Sequence, residues 1–228
     1  QRQMCIRDRQ FFIDNKVPQV KFVDRTFNCK HDHAMAIWKY INEHDNGVTN
    51  FHFEISADLL REEELQEMST MRPGLIQLEI GVQSTNPDTI KAIHRTMDFE
   101  KLKGIVDRIH SFGNIHQHLD LIAGLPADDA TSFADSIRQV LDLNPSNITV
   151  HTLALKKGAA LFGSRMELPP QEAVASMLTG AEDALRQSGY EPYYLYRQKY
   201  MSGSFENVGW ARPGFESCLL YTSDAADD

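Results

Sequence analysis

Leu75-Ile76-Gln77-Leu78-Glu79-Ile80-Gly81-Val82-Gln83-Ser84 alternates without a break: Ile76, Leu78, Ile80 and Val82 share one side of an extended chain, and Gln77, Glu79, Gly81 and Gln83 the other. Two neighbouring segments repeat the pattern. In Asn50–Ser56, Phe51, Phe53 and Ile55 oppose His52, Glu54 and Ser56; in Ile115–Gly124, Leu119 and Leu121 oppose His116, His118 and Asp120. A parallel strand covered by helices on both faces should be apolar on both. The persistent polar face therefore lines a cavity, which favours a barrel with a polar lumen over a doubly wound sheet.

Working outward, Gln19–Phe27 and Asn147–Leu155 complete a set of five short apolar strands, each followed by a segment of helical period. His31 to Glu43 places Ala34, Ile37, Trp38 and Ile41 on one stripe and runs out at Asn46-Gly47. Asn86-Pro87-Asp88 reads as an N-cap, a first-turn proline and an acid matched to the helix dipole. Pro169-Pro170 opens a further helix that Gly189 closes. This alternation specifies an α/β fold with parallel strands. No glycine-rich phosphate loop follows the first strand, which weighs against a dinucleotide fold.

The 228 residues are 42% hydrophobic and 24% charged, with a net charge of −9, so a nucleic-acid partner is not expected. No apolar run approaches the roughly 20 residues of a membrane span, and a cytoplasmic protein without a membrane partner is expected. Cys5, Cys29 and Cys218 form no CxxC pair, which excludes a disulfide scaffold or an all-cysteine zinc site. Gln1–Arg9 and Ser217–Asp228 resemble translated adapter sequence, with natural frayed ends as the alternative. The expected division is a tail at 1–10, a core barrel at 11–160, a C-terminal helix and substrate-side extension at 161–216, and a second tail at 217–228.

In a barrel of this kind, functional groups gather at the C-terminal strand ends. Those ends carry Asp24, Arg25 and Thr26; Glu54; Gln83 and Ser84; Asp120; and Ala154 with Lys156 and Lys157. Such a ring can hydrogen-bond a polar ligand, or Glu54 and Asp120 can simply pair with Arg25 or Arg95 or sit at a helix N-terminus. His116, His118 and Asp120 project alike and could meet one divalent ion as in a metal-dependent hydrolase. Further ligands are scarce, so no metal ligands are assigned and the imidazoles are read as satisfied lumen histidines. Tyr193 to Met201, dense in aromatic and basic groups, reads as an edge strand with a mixed face or as a seat for an aromatic ligand rich in carboxylates.

Gly81-Val82-Gln83-Ser84, Arg95 and Leu119-Asp120-Leu121-Ile122-Ala123-Gly124-Leu125-Pro126 together resemble the radical S-adenosylmethionine (SAM) enzymes related to oxygen-independent coproporphyrinogen III oxidase. The resemblance covers roughly Val20 to Glu216 and combines two subfamilies. Up to about Pro126, Phe22–Asn28 and His116–Asp120 are similar to radical SAM proteins with an upstream cobalamin-binding domain. From Asn147 onward, Thr149–Gly158, Pro192–Met201 and Glu206–Gly214 are similar to an anaerobic coproporphyrinogen III dehydrogenase. A join of two genes at the shared Asp-Leu-Ile-x-Gly-Leu-Pro segment and a genuine intermediate family both account for this.

The resemblance implies a partial (β/α) radical SAM barrel whose first strand and cluster loop precede this chain. It implies SAM contacts at Thr26, Glu54, Gln83, Arg95, Asp120 and Ala154. Glu54 and Asp120 would accept from ribose hydroxyls or the amino group, Arg95 would fork the carboxylate, and Ala154 would leave room for adenine. Val23-Asp24-Arg25-Thr26 departs from the family's glycine-rich strand end, and only Thr26 matches it. The CxxxCxxC motif that holds the family's [4Fe–4S] cluster does not occur in the chain. For the intact parent, the resemblance implies reductive cleavage of SAM, hydrogen abstraction from substrate, and oxidative decarboxylation of coproporphyrinogen III to protoporphyrinogen IX in heme biosynthesis. Arg197 and Lys199 would then grip the porphyrinogen carboxylates. The alternatives are a cobalamin-dependent radical SAM enzyme and a non-catalytic SAM or tetrapyrrole binder.

Overall fold

The computed structural model describes residues 9–24, 26–155, 166–197, 201, 203 and 205–216. Its strands are β1 (Gln19–Phe22), β2 (Asn50–Ile55), β3 (Ile76–Gln83), β4 (His116–Ala123), β5 (Asn147–Thr152), β6 (Glu191–Tyr196) and β7 (Asn207–Ala211). They hydrogen-bond in the order β1-β2-β3-β4-β5-β7-β6. The α-helices with named bounds are α1 (His31–Glu43), α2 (Glu62–Ser69), α3 (Pro87–Ala92), α4 (Phe99–Phe112), α5 (Ala130–Asp142) and α6 (Gln171–Gln187). Of the terminal segments set aside from the sequence, Gln1–Arg9 and Ser217–Asp228, all but Arg9 lie outside the described residues, as do Arg25, Lys156, Lys157 and Lys199; Arg9 is buried, with its guanidinium over the Tyr40 ring. The described chain forms two compact units.

The first unit takes residues up to Gly81 together with Asp98–His118. β1, β2 and β3 run parallel, with Lys21 opposite His52, Phe22 opposite Phe53 and Glu54 opposite Glu79. The apolar face seats an aromatic cluster: Phe22 stacks on Phe53 with centroids 4.6 Å apart, and Phe27 lies 4.4 Å from Phe53 and 5.6 Å from Trp38. α1 adds Ile37 and Ile41, and α2 adds Leu65 and Met68, all buried. Burying each such side chain contributes about 1.5–3 kcal/mol. α4 is capped at its start by Asp98, whose carboxylate accepts from the Lys101 amide at 3.1 Å, and at its end by Gly113 with φ +69°, a left-handed conformation that glycine adopts without strain.

β1 is shorter than the expected Gln19–Phe27. Thr26 leads a 3₁₀ turn at Phe27–Cys29, and the Asn28 side chain donates to the Ser56 carbonyl at 2.8 Å while accepting from the Ser56 amide at 3.0 Å. The chain therefore leaves the ladder to drop Phe27 into the aromatic cluster.

The second unit takes Val82–Met97 together with Leu119 onward. Asn86 caps α3 through the Asp88 amide at 3.0 Å, and Asp129 caps α5 through the Thr131 and Ser132 amides, each at 2.9 Å. Phe133, Ile137 and Val140 of α5 and Val174, Met177, Ala181 and Leu185 of α6 are buried with Tyr190 and Trp210. Gly124 (φ +88°) follows β4, and a Cβ there would lie 3.2 Å from Val174 Cγ2. Glycine meets both the backbone angle and the close helix approach.

β5 pairs antiparallel with β7, and β7 antiparallel with β6, so β7 runs against both of its neighbours while β6 runs in the same direction as β5. The stretch 197–206 is shorter than the dozen or more residues a parallel crossover needs, which forces β6 and β7 into an antiparallel pair. β6 takes the sheet edge with a mixed face; of the stretch Tyr193 to Met201 read as such a strand, Tyr193–Tyr196 fall within β6 and 198–200 lie outside the described residues.

Candidate active site

In the first unit, pairing register converts the alternation of single strands into a cluster of charged and imidazole groups. Lys21 Nζ lies 3.0 Å from Glu54 Oε1 and 2.8 Å from Glu79 Oε2. His52 Nε2 approaches the same Glu79 oxygen at 2.8 Å. The His118 ring centroid is 6.4 Å from that of His52, and both imidazoles are buried. Burial alone would push the Glu79 carboxyl up, but His52 in contact, His118 nearby and the Lys21 ammonium hold it far below the usual carboxylate range. For Lys21, the loss of water is outweighed by Glu79 and then Glu54, which raise its pKa. Glu54, expected as a cofactor contact, is thus tied to Lys21, a partner that sequence reasoning did not name.

The second unit holds most of the other expected contacts. Gln83 ends β3 with φ +69°, a conformation that side chains other than glycine rarely adopt. Beyond it the Ser84 amide bonds the Val82 carbonyl at 2.9 Å, the Asn86 amide bonds Ser84 Oγ at 3.1 Å, and the Thr85 amide bonds Ser136 Oγ at 3.0 Å. This braced turn is what holds Gln83 in its costly geometry. Arg95 is half-buried, its amide bonded to the Ile90 carbonyl at 3.1 Å just past α3. Asp120 is buried in β4, with Oδ1 3.7 Å from His151 Nε2 of β5. Ala154 is half-buried and forms an antiparallel bridge with Met201.

Arg197 is exposed and pairs with Glu206 Oε1 at 2.7 Å, at the border of a cavity of about 310 Å³ lined also by Val150, Ala181 and Trp210. Thr26, in the first unit, is half-buried before the 3₁₀ turn. Of the trio His116, His118 and Asp120, His116 is exposed. His118 instead has ligating atoms within 4.8 Å of those of His52 and Glu79. His52 and Glu79 were visible in the sequence as polar-face residues. Their meeting depends on register between strands distant in sequence, which alternation alone does not reveal.

The family model described as the Radical SAM superfamily matches residues 8–140. The chain belongs to the radical SAM superfamily. It is 32% identical over 225 residues to the "Oxygen-independent coproporphyrinogen-III oxidase-like protein HemZ" of Bacillus subtilis, covering 82% of this chain and 44% of HemZ. It is 27% identical over 146 residues to the "Heme chaperone HemW" of Escherichia coli, covering 64% of this chain and 35% of HemW. The chain therefore spans less than half the length of these relatives. The solved structure of coproporphyrinogen III oxidase (HemN) from Escherichia coli superposes with a TM-score of 0.70 at 19% identity, over 93% of this chain and 50% of that one. That likeness shows the fold, a mostly parallel sheet with helices that forms part of a barrel; the polar strand faces led us to expect a barrel, and the resemblance a partial radical SAM one.

Radical SAM proteins use SAM and a [4Fe–4S] cluster. Cys29 is exposed and the other two cysteines lie outside the described residues, while the sequence contains no CxxxCxxC motif. The thiols of this chain do not fit a three-thiolate cluster. By their chemistry these strand-end groups would suit SAM: the Arg95 guanidinium its carboxylate, and the buried Asp120 carboxylate and the Gln83 amide its hydroxyls and amino group. Among the described residues, no helix is long and apolar enough to cross a membrane.

Proposed function

We propose that this chain is the SAM-holding part of a cytoplasmic radical SAM oxidoreductase that acts on a porphyrinogen, in the manner of oxygen-independent coproporphyrinogen III oxidation to protoporphyrinogen IX. The observation that carries the reading is Gln83, held at a left-handed backbone angle at the end of β3 inside the stretch matched by the family model. Backbone strain kept by a braced turn is a mark of a ligand-holding position. When bound, SAM supplies the hydrogen-abstracting radical chemistry, and the residues here hold and orient it. In this reading Gln83 offers its amide, Arg95 forks the carboxylate, Asp120 accepts from the ribose with His151 steadying its carboxylate, and Ala154 leaves space for the adenine. Glu54 and Thr26 are further proposed contacts, and Glu54 shares its acceptor capacity with Lys21.

The kinship to HemZ supports a porphyrinogen as substrate, with the 161–216 extension on the substrate side and Arg197 and Lys199 toward its carboxylates. Equilibrium dialysis of labelled SAM against the full chain tests the cofactor part. Asp120→Asn should weaken binding by about 1.5–3 kcal/mol, the scale of a hydrogen bond to a charged group. Equal affinity in wild type and Asp120→Asn would remove Asp120 from the site.

The likeness to HemW favours a second reading, a tetrapyrrole carrier that does not oxidise its ligand. A hemin titration separates the two: tight stoichiometric hemin binding, with no affinity for coproporphyrinogen III, would move the assignment to the carrier.

A further inference from the structure

We propose that His52, Glu79 and His118 form a divalent transition-metal site in the first unit, independent of any SAM bound at the strand ends. The three residues come from β2, β3 and β4, and their ligating atoms all lie within 4.8 Å of one another. His52 is fully buried and His118 is 3% exposed. Two imidazoles and a carboxylate are a preferred donor set for zinc and related ions, with a fourth position left to water. Tetrahedral ligands at the usual bond lengths of about 2.0–2.1 Å stand closer together than 4.8 Å, so small side-chain rotations complete the geometry.

His52 supplies an independent observation. Its Nε2 is 2.8 Å from Glu79 Oε2, yet neither ring nitrogen makes a hydrogen bond of acceptable geometry. A buried imidazole ordinarily satisfies both nitrogens. A nitrogen and a carboxylate oxygen drawn close but off the N–H axis suit two donors that share one cation.

Lys21 is the competitor. Its ammonium lies 2.8 Å from the same Glu79 oxygen and 3.0 Å from Glu54. On metal binding the ammonium keeps Glu54 and yields Glu79. Removing it should therefore tighten metal binding, whereas a purely structural ion-pair cluster would gain nothing from its loss.

The test titrates the full chain with Co²⁺, followed by visible absorption and by competition with Zn²⁺. Wild type should take one equivalent with a nitrogen–oxygen ligand spectrum. The isosteric Glu79→Gln and the variant His118→Gln should each weaken uptake by about 10–100-fold, and Lys21→Met should strengthen it by about an order of magnitude. Glu79→Gln decides the matter if His118→Gln does not fold. Uptake unchanged in Glu79→Gln, no stoichiometric uptake by wild type, or uptake seen in Lys21→Met alone would each overturn the site.

Discussion

The polar face of the first unit and the strand ends of the second are built from the same alternating strands, yet they store their chemistry differently. In the first unit the groups face one another: Lys21 sits between Glu54 and Glu79, and His52 presses on Glu79. Their charges are paired within the protein, one ammonium against two carboxylates. In the second unit the distinctive feature is backbone conformation, with Gln83 at φ +69° and a turn of side-chain hydrogen bonds behind it. Charge paired in a polar interior builds stability or a cation seat, whereas on the proposed reading the strain at this strand end is offset by contacts to a ligand.

The comparison can be broken or sharpened by substitution. The largest effect should come from the side of the first unit opposite its charges: Phe53→Ala should cost about 3–5 kcal/mol in urea unfolding, because Phe53 is fully buried among Phe22, Phe27 and Trp38. Lys21→Met should follow at about 2–3 kcal/mol, below the full penalty of a broken buried pair since Lys21 keeps a quarter of its side-chain exposure. Acid should mimic part of that loss. Glu79 has its folded pKa depressed below the ordinary 4.5, so its contribution is present above that value and declines as pH falls below it. Urea midpoints that decline equally with acid in wild type and Glu79→Gln would contradict the pairing described for this unit.

Gln83→Gly should move in the opposite sense. Relief of the left-handed strain, less the extra chain entropy of glycine, should stabilise the fold by about 1 kcal/mol while SAM binding weakens by a comparable amount. Destabilisation with unchanged SAM affinity would mean that the turn is merely structural. The smallest effect on stability belongs to Arg197→Ala, within about 0.5 kcal/mol as for other exposed pairs, and any consequence should appear in porphyrinogen KM. A clear loss of stability without a change in KM would make Arg197 part of the packing around Trp210.

Much of this was legible before the structure. Strict alternation in β2, β3 and β4 announced both the strands and their polar face, because one face of each is committed to Phe51, Phe53, Leu78 or Leu121 in the core. Asn86 and Gly189 marked helix ends through local chemistry alone. What local pattern does not carry is pairing between distant segments. The early exit of β1 depends on Asn28 reaching Ser56, and the antiparallel β7 lies between β5 and β6 through contacts that no window of sequence contains. For the same reason His52 and Glu79 were readable as polar-face residues but not as neighbours of His118 in one cluster, and the pairing of Glu54 with Lys21 was hidden until the strands were in register.

A crystal structure of the chain grown with SAM would test the central claim most directly. One SAM molecule should lie with its ribose within hydrogen-bond reach of Asp120, its carboxylate at Arg95 and its adenine beside Ala154, with Gln83 still at its left-handed angle. SAM bound elsewhere, or no SAM at saturating concentration with those four residues unchanged, would contradict the account.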